Sequence, residues 1–325
     1  IAVASMDFLT AAEKINCLKA LQDLEDGGKG LGLSFLEKSS FGQVESLAFR
    51  NKSRPYRLRR WNGGELVRRA RGSALLCGAL GIECVLYGQK NYPKPLLEIC
   101  DPPFALFYRG NIEALDGKNL AIVGTRRLSS DGREAARTFA YDAASSDFCV
   151  VSGLAMGADG QAHQGAIDAF YDKKSGACKT AAVLAGGVDN IFPSAHKKMA
   201  AQIMRNGGLV LSECPPGVPA EKWRFVQRNR IIAALSKATV VVQAPPGSGA
   251  MITADFALGY NKEVFFHQAC FSPKARTLSD LVKKNLEATP GSQARRKIEA
   301  SPEAFVRDGA QVVKSFSDFA LRLFP

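Results

Sequence analysis

The sequence predicts an α/β protein with a Rossmann-like, doubly wound, mostly parallel sheet, preceded by a small helical N-terminal domain. Two observations support this fold class. From about residue 119 onward, six short apolar runs alternate with segments of helical pattern. The runs are continuously apolar, as is typical of parallel strands that are buried on both faces. We therefore expect helices on both faces of the sheet.

Residues 1–78 form the predicted helical domain. Residues 11–24 carry apolar side chains near helical spacing, and residues 33–49 form a second helix-like segment. Residues 50–71 then contain nine basic residues and one acid, with two aromatic residues among them. Such a basic run is typical of a nucleic-acid contact, and equally of a solvated helix face and linker.

Residues 79–325 form the predicted second domain. A short strand-like run, IECVLYG, and a proline-marked segment open it. The predicted strands are 119–124, 148–152, 180–184, 208–212, 238–243 and 263–266. The predicted helices between them are 131–145, 158–170, 194–206, 225–235 and 249–258. A charged tail from about 272 ends in an apolar helix over 317–324.

Composition narrows the class of partner. The chain has 43 Lys and Arg against 31 Asp and Glu, a net charge of +12. A basic surface favours nucleic acid, phosphorylated ligands or an anionic membrane face. No apolar run reaches the ~18 residues needed to cross a bilayer, and residues 1–10 lack the pattern of a secretory signal. We therefore expect a cytoplasmic protein without a membrane partner.

Cysteine and histidine spacing predicts neither disulfides nor a metal site. None of the eight cysteines lies in a C-x-x-C pair, and the three histidines also lack zinc-ligand spacing. We expect buried free thiols, no metal and no cofactor. His163 is expected to be a structural hydrogen-bonding residue.

Small polar residues follow the predicted strands, where ligands of open α/β sheets bind. Backbone amides, hydroxyls and arginines at these ends suit an anion. The candidate residues are Gly124, Thr125, Arg126, Arg127, Ser129, Ser152, Gly153, Gly186, Gly187, Ser248, Gly249 and Thr253. Neither a Walker A loop nor a complete G-x-G-x-x-G fingerprint is present, which disfavours ATP and NAD.

The segment RFVQRNRII, residues 224–232, supplies the remaining candidates: Phe225, Arg228, Asn229 and Arg230. Phe225 is either a stacking platform for a base or an anchor in the core. The two arginines either contact the anion or form ion pairs with Glu213 or Asp255.

These motifs carry a resemblance. GTRRLSSDG, SGLAMGADGQAHQGA, GGVDNIFP, SECPPG, FVQRNRIIAALS and SGAMITA are similar, in this order, to motifs of the DNA-processing protein A family, also called Smf, of bacterial natural transformation. The resemblance runs from about residue 85 to 320. It departs at Thr125 (Ser in the family), Ala158 (Ile), Val226 (Pro) and at His267 and Gln268, where the family has Pro-Gly.

The resemblance implies a non-enzymatic protein that binds single-stranded DNA largely without sequence preference. The family protects incoming strands and loads the RecA recombinase onto them during transformation and recombination. It further implies a homodimer, a SAM-like N-terminal domain, phosphate contacts from Gly124, Thr125 and Arg126, and Phe225 as the aromatic contact. The winged-helix domain that many members append is not expected here, because the sequence stops at residue 325.

An enzyme is the alternative. PPGSGAMITAD is similar in its first half to the phosphate loop of Rossmann-like nucleoside-monophosphate phosphoribohydrolases, but residues 251–253 contain no catalytic glutamate. Asp159 and Asp255 are then the candidate acids, or helix-capping residues at helix starts.

Overall fold

A nine-stranded sheet forms the centre of the protein within residues 1–6, 9–24, 32–48, 61–289 and 291–323, which a computed structural model describes. The strands are β1 Glu83–Leu86, β2 Ala105–Gly110, β3 Lys118–Val123, β4 Phe148–Ser152, β5 Thr180–Val183, β6 Leu209–Ser212, β7 Ala238–Val241, β8 Glu263–His267 and β9 Gln311–Val313. Strands β3 to β8 are the six predicted strands, and β1 is the strand-like run before them.

The strand order β1-β2-β6-β5-β4-β3-β7-β8-β9 places β3 near the middle of the sheet. Strands β3 to β9 pair in parallel, while β2 is antiparallel to both β1 and β6. From β3 the chain first builds outward through β4, β5 and β6, and then returns to place β7 on the other side of β3. The carboxyl ends of β3 and β7 therefore flank the switch point where such folds bind ligands. The predicted fold class is confirmed.

Helices cover both faces of this sheet. They are α1 Ala11–Leu24, α2 Gly32–Lys38, α3 Phe41–Ala48, α4 Gly63–Leu80, α5 Ser130–Ser145, α6 Ala158–Tyr171, α7 Lys197–Arg205, α8 Lys222–Leu235, α9 Gly249–Gly259, α10 Pro273–Glu287, α11 Ser292–Glu299, α12 Pro302–Arg307 and α13 Phe316–Leu323. Helices α8 and α9 pack on one face. Helices α5, α6, α7 and α13 pack on the other.

The N-terminal helices share a buried core with the sheet. Met6, Cys17 and Leu36 belong to the same apolar cluster as Phe107 of β2 and Val210 of β6. The described part of the segment before β1 thus packs on the sheet beside β2 and β6 through these buried side chains.

Several local predictions need correction. The described part of the predicted helix 33–49 forms two helices instead of one, because α2 ends at Lys38 and α3 begins at Phe41. Strands β2 and β9 were not predicted, and the tail also holds α10, α11 and α12. Asp255 lies within α9 rather than at its start. Two of the eight free cysteines, Cys84 and Cys100, are exposed.

The basic run lies only partly within the described residues. Its first residues, 50–60, fall outside them, and its end lies on α4. There Arg68 and Arg69 both pair with Glu65. Across the described ranges, no helix is both long and apolar enough to span a membrane, and no cluster of three or more His, Cys, Asp or Glu side chains could hold a metal.

Candidate functional site

The loop after β3, residues 124–129, lies at the switch point and is held by backbone contacts. The Thr125 N–H donates to the Gln243 carbonyl beyond β7 (2.6 Å), and the Thr125 carbonyl accepts from the Ala158 N–H (3.1 Å). A Cβ on Gly124 would lie 2.7 Å from the Cβ of Ala158 and 2.9 Å from the Gln243 carbonyl oxygen. Only glycine therefore allows the loop to approach both neighbours.

The Gln243 side chain fixes the other end of this loop. Its Oε1 accepts from the Ser129 N–H (2.9 Å), while its Nε2 donates to Ser129 Oγ (3.1 Å) and to the Ala269 carbonyl (3.3 Å). Ser129 Oγ also accepts from the Gly132 N–H (3.1 Å) and so caps α5. Sequence analysis did not identify Gln243, which carries no charge and ends an apolar strand.

An aromatic and cationic cluster lies beside the loop. The guanidinium carbon of Arg126 is 5.4 Å from the ring centroid of Phe225, in the first turn of α8. Phe192 makes an edge-to-face contact with Phe225, with ring centroids 5.7 Å apart, and is 53 % exposed. Arg126 and Arg127 are exposed, and Phe225 is half-buried. The structure thus brings the predicted residues Arg126 and Phe225 together. It also adds Phe192, which sequence analysis missed, although the aromatic residue in the motif GGVDNIFP could have indicated it.

Arg228, in contrast, points into the protein. Its Nη1 donates to the Val183 carbonyl (2.6 Å), and a Cβ on Gly153 would overlap its guanidinium. Burial lowers the pKa of Arg228 to about 10, an effect that the Asp159 carboxylate opposes. Burial likewise raises the pKa of Asp159, which Arg228 and the Ala155 N–H oppose. Arg228 thus packs against Gly153 in the loop after β4 and does not face solvent.

Arg230 is also buried, and the structure decides between its two predicted partners. It pairs with Glu213, and its Nε lies 3.4 Å from Asp101 Oδ2. Burial raises the pKa of Glu213, an effect that Arg230 opposes. Asp255 is exposed on α9 and is not among its partners.

Some of the remaining candidate residues are buried in the protein, and others lie at the surface beside the switch point. Ser152 Oγ donates to the Ile122 carbonyl (2.7 Å) and Thr253 Oγ1 to the Gly249 carbonyl (3.1 Å), and both residues are buried. Gly186 and Gly187 are buried against residues 215–220.

Residues at the start of α9 remain at the surface. Ser248 is half-buried, and its Oγ has no hydrogen-bond partner among the described residues. Gly249 is exposed, and its carbonyl accepts from Asn229 Nδ2 (3.1 Å). One turn of helix separates Asn229 from Phe225, so the surface at the switch point continues along α8 from the aromatic cluster to α9.

His163 has the structural role that the sequence suggested. It is fully buried on α6, and its Nδ1 lies 2.7 Å from Thr180 Oγ1. Burial lowers its pKa to about 3, and the neighbouring His196 and Arg228 act in the same direction. The imidazole is therefore neutral at physiological pH.

These features define a Rossmann-like α/β protein in which the loops after β3 and β7 meet the first turn of α8 at the switch point, the position of the ligand crevice in such folds. A family model described as DNA recombination-mediator protein A matches residues 83–323, and the chain belongs to this family. The resemblance drawn from the motifs is confirmed.

Curated relatives agree with the family assignment. The chain is 37% identical over 186 residues to the DNA processing protein DprA of Bacillus subtilis, a match over 57% of this chain and 60% of that protein. It is 40% identical over 174 residues to protein Smf of Escherichia coli, over 54% and 45% of the two chains. The chain thus spans about half the length of the curated relatives it matches.

Two solved structures extend the similarity in three dimensions. The X-ray structure of DNA processing protein A from Streptococcus pneumoniae has a TM-score of 0.68 at 25% identity, with 98% of this chain and 95% of that chain covered. DNA processing protein A from Helicobacter pylori has a TM-score of 0.56 at 26% identity, with 74% and 95% covered. That structure is described as giving insight into a unique single-stranded DNA binding mode.

Proposed function

We propose that the protein binds single-stranded DNA at the carboxyl edge of its sheet, largely without sequence preference. The observation that carries the proposal is the cluster of Arg126, Phe225 and Phe192 beside the β3 loop. It combines a cation for a phosphate with an aromatic surface for a base, the two elements that single-strand binding requires. Membership of a DNA recombination-mediator family and the single-strand binding described for the H. pylori protein support it.

The phosphate contact would come from charge and backbone together. Arg126 and Arg127 are exposed and, within the part of the chain that the structure describes, have no carboxylate within ion-pairing distance. Together with Thr125 they precede the N-terminus of α5, whose first amides favour an anion. Each phosphate bound releases counterions, so the slope of log affinity against log salt falls by about 0.7 per contact on a single strand.

Base stacking would distinguish single strands from duplex. The half-buried ring of Phe225 and the exposed ring of Phe192 can accept only a base that is free of its partner strand. Stacking contributes ~1 to 3 kcal/mol per base and tolerates every base. Because amides and arginine contact phosphates rather than base edges, little sequence preference follows.

The supporting residues have a different task. Gly124, Gly153, Gly186 and Gly187 let the loops pack closely, while Ser152, Thr253, Arg228 and Arg230 hold them from below. We propose that Thr125, Arg126, Arg127, Phe225, Asn229, Ser248 and Gly249 face the strand.

We propose a binding protein rather than the alternative enzyme because of where the two candidate acids lie. Asp159, one candidate acid, is buried and faces Arg228. Asp255, the other, lies on the exposed side of α9. We therefore propose a binding protein, and release of adenine from AMP is the assay in which turnover would favour the enzyme.

The wider role follows from the family. We propose that the protein protects incoming single strands in the cytoplasm and, as a homodimer, loads the RecA recombinase onto them. We also propose that the chain divides near residue 78 into a helical and a Rossmann-like domain. The description of the family as a recombination mediator supports the recombinase step. Light scattering of the protein with and without RecA would test both assemblies.

The test of DNA binding is a fluorescence-anisotropy titration of a labelled 30-nucleotide single strand at several salt concentrations. We expect tight, salt-sensitive binding that duplex competes poorly, and binding about tenfold weaker for Arg126→Ala. Lys174→Ala, which removes an exposed charge between α6 and β5 at the opposite edge of the sheet, is the matched control. Equal affinity of Arg126→Ala and wild type would contradict the assignment of the site.

A further inference from the structure

Helices α10 and α11 carry a concentration of positive charge that the proposed site does not use. Between residues 273 and 299 the sequence has seven basic residues and three acidic ones. The basic residues are Lys274, Arg276, Lys283, Lys284, Arg295, Arg296 and Lys297. All seven are exposed.

Most of this charge is not neutralised within the protein. Lys274 pairs with Asp131, and Arg295 with Glu299 on its own helix. The other five residues have no carboxylate within ion-pairing distance among the described residues. Their charges therefore face solvent.

The two helices are anchored by one face each. Ala275 of α10 and Ala294 of α11 are buried, at 3 % and 7 % exposure, while the basic residues beside them point outward. Both helices thus pack against the protein at their buried alanines, while their basic side chains reach solvent. The charged face is thus a fixed surface of the protein.

Helices α10 and α11 contact two segments beside the switch point, the loop after β7 and the start of α5. At the end of α11, the Ala300 carbonyl accepts from the Gly247 N–H (2.8 Å) in the loop after β7. A Cβ on Gly247 would lie 2.8 Å from Lys297 Cγ, so α11 rests directly on that loop. At the start of α10, Lys274 Nζ donates to Ser130 Oγ (2.8 Å) at the beginning of α5.

A continuous path leads from the aromatic cluster to these helices. Phe225 and Asn229 lie one turn apart on α8, and Asn229 contacts Gly249. Two residues earlier, Gly247 contacts Lys297. A strand that stacks on Phe225 can therefore follow the start of α9 to the basic face of α11.

We propose that α10 and α11 form a second binding surface for the same DNA strand, which holds its phosphates after they leave the switch-point crevice. The inference rests on the proposed single-strand function and adds a length dependence to it. An oligonucleotide confined to the crevice contacts only the first surface, whereas a longer one contacts both. Lys297, which contacts the loop after β7, and its exposed neighbour Arg296 would hold phosphates on this surface.

The test compares the double variant Arg296→Gln/Lys297→Gln with wild type on single strands of 6 and 30 nucleotides. On the longer strand we expect binding about tenfold weaker and a salt slope smaller in magnitude by about 1.4, for two lost contacts. On the shorter strand we expect no change. Thermal unfolding should be unaffected because both side chains are exposed.

Two further variants make the outcomes distinct. Lys173→Gln/Lys174→Gln removes two exposed charges at the opposite edge and should leave both titrations unchanged. Arg126→Ala should weaken binding to both lengths. If Arg126→Ala weakens binding and Arg296→Gln/Lys297→Gln does not, the second surface is wrong and the crevice assignment stands. If the wild type binds neither strand, the proposed function fails and this inference fails with it.

Discussion

The guanidinium of Arg126 lies over the ring of Phe225, 5.4 Å from its centroid, and so joins the loop after β3 to the first turn of α8. A cation–π contact of this kind at an exposed site contributes about 0.5–1 kcal/mol. That free energy is enough to favour one orientation of the arginine. Among the described residues, no carboxylate pairs with its N–H groups, so they can still donate to a phosphate. The contact therefore places a cation suited to a phosphate and a ring suited to a base in one cluster.

Replacing Phe225 with alanine should remove the stacking surface. We expect single-strand affinity to fall about 5- to 150-fold, corresponding to ~1 to 3 kcal/mol for one base. The salt slope should stay unchanged because no phosphate contact is lost. Phe225→Tyr keeps the ring and should bind like wild type in the same anisotropy titration. A Phe225→Ala protein of undiminished affinity would assign the ring to the core instead.

Gly157 should be essential for the loop that it supports. Its φ is +84°, and an added Cβ would lie 2.7 Å from Arg126 Cα. Gly157→Ala is therefore strained by its backbone conformation and displaces Arg126, and we expect about tenfold weaker DNA binding and destabilisation of ~1 to 3 kcal/mol. Gly176→Ala, where nothing lies within 4 Å of the added Cβ, is the control for both measurements. Wild-type affinity in Gly157→Ala would show that the loop tolerates displacement.

Arg230→Met should leave a partly buried carboxylate without its main partner. The Glu213 side chain is 19 % exposed, so we expect a loss of about 3 kcal/mol in the free energy of unfolding, the lower end of the range for a buried pair. Burial already raises the pKa of Glu213, and loss of Arg230 raises it further. The folded state then binds a proton more readily than the unfolded state, so the variant should gain stability relative to wild type as the pH falls.

Urea titrations at two pH values would measure this effect. Glu213→Leu in the Arg230→Met background should restore part of the stability because it removes the unpaired charge. An Arg230→Met protein as stable as wild type at neutral pH would show that water reaches Glu213.

His163 should make the protein sensitive to mild acid. Burial lowers its pKa from 6.5 to about 3, so the unfolded state binds a proton that the folded state excludes. The buried neutral imidazole therefore costs the folded state little above pH 6.5. As the pH falls toward 3, the free energy of unfolding decreases, and the decrease due to His163 is about 2 kcal/mol at pH 5. Unfolding curves of wild type and His163→Gln between pH 7 and 5 measure it, and the variant should show the shallower dependence. His267, whose pKa burial also lowers, contributes equally to both proteins. Identical pH dependence would assign the acid sensitivity elsewhere.

Sequence reasoning succeeded where one physical constraint dominated. Strands β3 to β8 are buried on both faces, and their continuous apolar runs were sufficient to locate them. Strand β2 follows Pro102 and Pro103, which indicated a turn, and β9 has three residues, too few to form a pattern. Both take their structure from pairing with neighbouring strands rather than from local sequence.

The candidate site was predictable in position but not in every residue. Strand ends rich in glycine indicated where the loops of the candidate site lie because tight βα turns require such residues. Arg228 and Arg230 lie about 200° apart around α8, on nearly opposite sides, and both are buried because α8 is covered on both flanks. A basic sequence on a helix predicts exposure, and only tertiary packing shows that Arg228 donates to the Val183 carbonyl and that Arg230 pairs with Glu213.

Gln243 has a consequence for the kinetics of binding. Its amide group joins the ends of β3 and β7 through Ser129 and also reaches Ala269, so three segments share one buried side chain. The loop after β3, which we propose faces the strand, is consequently preorganised, and association should cost little conformational entropy at this point. Encounter with a strand should then be limited by diffusion and electrostatic attraction rather than by loop closure, and differences between DNA sequences should appear in the rate at which the complex dissociates.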